Sequence, residues 1–175
     1  MEKVTLRNDA VRYGTFLGIV AIVFAVAGMF WQSGWLSLLS VAVYVTLLYT
    51  FTKRHAARYD AAEGCSYGRC LKFILFMALF EGILAGAYQI VAVNWLFEAR
   101  YEEIMAQTLA AVEATGIYTR DRMQLVGEMA TRMTHSPIWL IASGIFGSLI
   151  KGLFFGLFVS AFASRKPEVF SRNNE

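Results

Sequence analysis

Apolar residues gather in four long blocks, residues 13–30, 35–52, 71–97 and 138–163, and polar residues fall mainly between them. A helix crossing a hydrocarbon layer needs about 20 predominantly apolar residues, so each block predicts one membrane span. Within the first block Gly14, Gly18, Ala21, Ala25 and Gly28 share a helical face, and small residues so spaced let helix backbones approach closely in lipid. The same stretch has the small-x-small spacing of a signal-peptide cleavage site at Ala25 and Ala27. A cleaved segment has no use for a packing ridge, however, and a retained helix is expected.

Trp31 to Gly34 is too short for anything but a tight turn, so the first two spans are antiparallel neighbours. Trp31 and Trp35 stand where an interfacial aromatic belt belongs, and Tyr44 and Tyr49 read as further bilayer anchors. The third block has a ridge at Ala78, Gly82 and Gly86 but also contains Glu81, Gln89 and Asn94. The fourth places Gly144, Ser148, Gly152, Gly156 and Ser160 in strict four-residue register, with Gly147 beside them, and contains Lys151. Its start at Ser136-Pro137 is a cap followed by a first-turn proline, and Arg165-Lys166-Pro167 stops it.

Residues 98–136 form an unusually long connection with its own period. Tyr101, Ile104, Met105, Thr108, Leu109 and Val112 recur at three and four, which predicts that the third helix continues out of the bilayer as an amphipathic extension. Thr115-Gly116 ends it, and Thr119 is placed to cap a second helix whose apolar face is Met123, Val126, Ala130 and Met133. The expected product is a helical hairpin standing on or lying across the outer face, able to cover the bundle or to dock a partner.

Charge assigns the sides. Outside the spans, three Lys or Arg residues precede the first helix, five lie in residues 53–72 and three follow the last helix, against only Arg100, Arg120, Arg122 and Arg132 in the third connection. The positive-inside rule then places both termini in the cytoplasm. The basic loop at residues 53–72 could also meet anionic headgroups. A composition 57% hydrophobic and 17% charged, with basic residues dispersed, excludes a nucleic-acid binder. Cys65 and Cys70 are the only cysteines, four residues intervene, and neither His55 nor His135 completes a metal pattern; no metal or cofactor is expected, and cytoplasmic thiols stay reduced.

The two charges inside spans can be placed in depth. Glu81 is ten residues from the start of its block, about 15 Å, and Lys151 twelve from the end of its own, about 18 Å. In antiparallel helices these depths nearly coincide. A lone charge at the bilayer centre costs about 2.5–3.5 kcal/mol on insertion scales, which predicts a Glu81–Lys151 pair. Such a pair either fixes helix register or couples proton or substrate movement, with Gln89 and Asn94 as further polar lining. No nucleophile elbow, His-rich metal motif or phosphate loop accompanies it, so no catalytic residues are assigned and an enzyme is not expected.

The order of features, from the basic N-terminus and tight first hairpin through Ser66-Tyr67-Gly68, the Gly116 to Met133 helix, Ser136-Pro137 and the glycine-rich last span, resembles the DUF4199 family of uncharacterised membrane proteins, found mainly in Bacteroidetes. The chain departs from it where relatives have Asp-Pro after the third span and Asn94-Trp95-Leu96 stands here. The resemblance implies four spans, a bacterial cytoplasmic (inner) membrane and a neighbouring membrane-linked glycosyltransferase as partner. The expectation is an all-α polytopic protein, one membrane domain over residues 1–175, with an extracytoplasmic amphipathic hairpin. Its expected role is an accessory or scaffold subunit of an inner-membrane complex related to envelope glycan or lipid, alone or as a homo-oligomer. The alternative is a small transporter or proton-coupled permease using Glu81 and Lys151.

Overall fold

The structure, a computed structural model, describes residues 6–31, 33–59, 64–117 and 119–164, and among these it is helical without strands. The helices are α1 (Leu6–Phe30), α2 (Gly34–Ala56), α3 (Tyr67–Val91) followed by a π-helical turn at Ala92–Leu96, α4 (Glu98–Ala114), α5 (Arg120–Thr134) and α6 (Pro137–Ala163). Four helical stretches are long and apolar enough to cross a membrane: α1, α2, α3 with its π turn, and α6. Three of them start earlier or run longer than their apolar blocks. α1 takes in Arg7, Asp9 and Arg12, α2 runs on through Lys53–Ala56, and α3 starts at Tyr67 rather than Leu71. Apolar runs mark what lipid covers, whereas hydrogen bonding carries a helix one or two turns past that limit. Pro137 heads α6 at the position where its missing N–H costs nothing. The predicted stop at Arg165-Lys166-Pro167 lies outside the described residues.

Two compact units result, Met1–Ala85 with Ile145–Glu175, and Gly86–Gly144. In the first, α3 is the central helix. Tyr13 of α1 stacks on Phe51 of α2 with centroids 4.5 Å apart and meets Phe73 of α3 edge-on, and Leu17, Leu48, Ile74 and Met77 fill the space around them. Close approach explains two of the glycines: a Cβ on Gly14 would lie 2.6 Å from the Met77 carbonyl oxygen, and one on Gly152 would lie 2.6 Å from Ala78 Cβ. Gly18 sits similarly against Leu84 and Gly156 against Ile74, while Gly82 and Ser148 are buried. Gly28, expected in the ridge of α1, and Gly147, beside that of α6, face open space.

In the second unit the π turn interrupts what was expected to be one continuous helix. The Phe97 N–H reaches back five residues to the Ala92 carbonyl, and Phe97 leaves helical geometry at φ −136°, ψ 31° before α4 begins. Asn94 supplies the physical reason, because its side-chain amide donates to the Ile90 carbonyl at 2.9 Å and competes with the backbone for it. Gly86 holds α3 against α6, where a Cβ would come within 2.6 Å of Ile141 Cα. Gly144 is also buried. α4 ends at Thr115-Gly116, with Gly116 at φ +66°, a conformation glycine adopts freely. Thr119 occupies the cap position of α5 but makes no side-chain capping bond. On α5, Met123, Val126 and Ala130 are half-buried and Gly127 faces Leu109 of α4, but Met133 is exposed, as are Leu125 and Met129.

Candidate functional site

The charged residues of the spans meet in the first unit. Lys151 Nζ, on α6, donates to Glu81 Oε1, on α3, at 2.5 Å. The Glu81 side chain is 1% exposed and that of Lys151 37%. Ala78, one turn before Glu81, and Gly152, next to Lys151, form the contact that brings the two backbones close enough for the reach. Tyr44 of α2 completes the cluster: its ring lies under the ammonium, 4.1 Å from Nζ to the centroid. Expected to be a bilayer anchor, Tyr44 is buried instead, with the Lys151 cation over its ring. Its hydroxyl lies close to the Glu81 carboxylate and interacts with it. Both this hydroxyl and Glu81 Oε2 are buried, and Lys151 engages the other carboxylate oxygen.

Lys151 also borders a cleft of about 270 Å³ between α1, α2 and α6. The remaining walls are almost wholly apolar, with Leu17, Val20 and Phe24 from α1, Val41 from α2 and Phe155 from α6. Along α1 the furrow runs from Leu17 to Ala25, about 12 Å at 1.5 Å per residue. Chemically the cluster can do two things. As an ion pair it ties α3 to α6; with one carboxylate oxygen clear of Lys151 it can also hold a proton.

A second polar cluster went unread in the sequence. Asp9 of α1 accepts from Arg58 at 2.6 Å and bonds His55 Nδ1 of α2 at 2.9 Å, while His55 Nε2 lies 3.4 Å from the Tyr59 hydroxyl. His55 is fully buried and stacks on Phe73 at 3.9 Å. Beside it, Cys65 and Cys70 are free, fully buried thiols with their sulfurs 3.2 Å apart. Burial, then the neighbouring Cys65, pushes the Tyr59 phenol above its ordinary value. Partners 46 and 49 residues apart leave no local spacing to find.

Of the other polar residues expected to line a path, Gln89 is half-buried on α3, in the second unit. Asn94 is engaged at the π turn, where its carbonyl oxygen meets His135 Nδ1 at 3.2 Å. His135 thus closes the end of α5 onto the end of α3. A cleft of about 240 Å³ lined by Tyr101, Met105, Leu109, Thr131 and His135 lies between α4 and α5. Among the described residues no cluster of three or more His, Cys, Asp or Glu could hold a metal.

Residues 12–165 match a family described as a protein of unknown function, DUF4199. No curated protein and no solved structure matches the chain.

Proposed function

The chain belongs to the DUF4199 family, and from its geometry we propose that it is an accessory or scaffold subunit of a membrane complex. One observation carries this reading: the charges within the spans are spent on holding helices together. Lys151 donates to Glu81 at 2.5 Å, and the α3–α6 contact beside them is closed by Gly152 on Ala78. A bundle locked in this way suits a body against which another protein is held. The cleft beside Lys151, lined by Leu17, Phe24 and Phe155, offers a partner's transmembrane helix a seat for a large apolar side chain. The setting that goes with this reading is a bacterial inner membrane with both termini in the cytoplasm. The α4–α5 connection then forms an extracytoplasmic hairpin, and an envelope-glycan enzyme such as a membrane-linked glycosyltransferase is the partner. Affinity purification of the full chain from its native membrane tests it. A stoichiometric membrane-protein partner is expected, and a chain that purifies only with itself overturns the accessory role.

A second reading, proton-coupled transport, is favoured by the buried Glu81 Oε2, which Lys151 does not engage. An intramembrane carboxylate with one oxygen clear of its counter-ion is a place where protons are handled. Proton flux into liposomes separates the two: flux that disappears in Glu81→Gln establishes coupling, and absence of flux in the wild-type protein removes it.

A further inference from the structure

α5 lies outside the four candidate spans, yet its apolar arc is only half covered. At about 100° per residue, with Met123 taken as zero, Gly127, Ala130 and Thr134 fall within about 40° of Met123, and Val126 about 60° away. That half faces α4, where Gly127 meets Leu109. Leu125, Met129 and Met133 follow at about 200°, 240° and 280°, adjoining Val126 and forming a second stripe. Their exposures are 60%, 53% and 37%. Arg132 and Arg122, both exposed, fall at about 180° and 260°, beside and within this stripe, whereas Gln124 and Glu128 occupy the opposite edge at about 100° and 140°.

Two further observations say what covers the stripe. The first is tethering: α5 ends at Thr134 and the candidate span α6 begins at Pro137, so at most about 11 Å of extended chain separates the two. Ile138 and Trp139, at the head of that span, are exposed in the manner of an interfacial belt. The second is charge. α4 carries Glu98, Glu102, Glu103 and Glu113 against Arg100, whereas α5 carries three arginines against Asp121 and Glu128. The basic helix is therefore the one with the uncovered apolar stripe, and this combination of arginine with exposed Leu and Met is how an interfacial helix meets anionic headgroups.

We propose that α5 is a membrane-surface helix, lying along the bilayer with Leu125, Met129 and Met133 in the headgroup–acyl boundary and Arg122 and Arg132 on lipid phosphates. The α4–α5 connection then lies across the membrane rather than standing away from it, with the acidic α4 turned to water.

The test uses the full chain in lipid nanodiscs containing phosphatidylglycerol. Met129→Cys and Gln124→Cys are each labelled with an environment-sensitive fluorophore; the native Cys65 and Cys70, being fully buried, leave the unsubstituted protein as the unlabelled control. Spin-labelled lipids should quench position 129 several-fold more than position 124, and aqueous iodide should do the reverse. Arg122→Gln with Arg132→Gln should reduce the lipid quenching in anionic discs and leave it unchanged in phosphatidylcholine discs. Equal access of iodide to positions 124 and 129 overturns the proposal. So does a position 129 shielded from iodide but untouched by lipid quenchers, the signature of a protein contact. Leu125→Cys, on the same stripe, gives an independent reading if Met129→Cys does not fold.

Discussion

Glu81 and Lys151 are each other's condition for being where they are. A buried pair adds little net stability relative to apolar residues of the same shape, but removing one partner strands a charge, at a cost of about 3–5 kcal/mol. Lys151 is 37% exposed towards the cleft, which places Lys151→Met, leaving the 1%-exposed Glu81 alone, near the upper end of that cost and Glu81→Gln lower. The double variant Glu81→Leu with Lys151→Met should recover most of the loss in detergent unfolding; if it is no more stable than the worse single variant, the pair is not what holds α3 to α6. At the other cluster, Asp9→Ala leaves the buried His55 Nδ1 without its partner, and a loss of about 1–3 kcal/mol is expected in the same assay. Arg58→Ala, whose side chain is 46% exposed, should cost clearly less. The charged pair was legible in the sequence because charges in apolar blocks are rare and their depths could be counted. Asp9, His55 and Tyr44 were not, since each looks ordinary until helices 30 or more residues apart are brought together.

Among the helices, close approach distinguishes glycines that composition alone treats alike. Gly86 leaves no room before the Ile141 backbone, so Gly86→Ala must push α3 and α6 apart, an overpacking cost of about 1–3 kcal/mol. Gly147 faces open space, and Gly147→Ala should be neutral or stabilising by up to about 1 kcal/mol through helix propensity. Comparison of the two variants by unfolding in detergent checks this; equal effects would mean that glycine register does not decide packing here. Four-residue spacing could be read directly, but which glycines touch a neighbour depends on helix rotation, which no single segment encodes. The π turn at Ala92–Leu96 was hidden for a related reason. Asn94 reads as one polar residue in an apolar run; its bond to the Ile90 carbonyl is local, but the bond to His135 exists only once α5 returns to meet it. Asn94→Leu should lower the stability of the α4–α5 connection, seen as faster amide exchange in α4 while the exchange of α1 and α2 stays the same.

Across the whole molecule, four candidate spans were predictable because lipid imposes a length and a composition that any reader of the chain can count. What the counting missed is where polar ends extend those helices and where the third one breaks, both settled by hydrogen bonds rather than hydropathy. The excess of Lys and Arg in the short loops predicts both termini on one side; reporter fusions at residue 175 and at residue 117 should report opposite sides, and the same side at both positions would refute the topology.

The Glu81–Lys151 contact joins residues 70 positions apart in the chain, and this has a consequence in time. During synthesis at about 5–20 residues per second, Glu81 is added to the chain about 4–14 s before its ammonium partner. For that interval α3 is an incomplete span, its carboxylate sheltered by protonation, by the insertion machinery or by α1 and α2 alone. A chain truncated before α6 stays in that state permanently, and quality-control proteases have an unpaired membrane acid by which to recognise it.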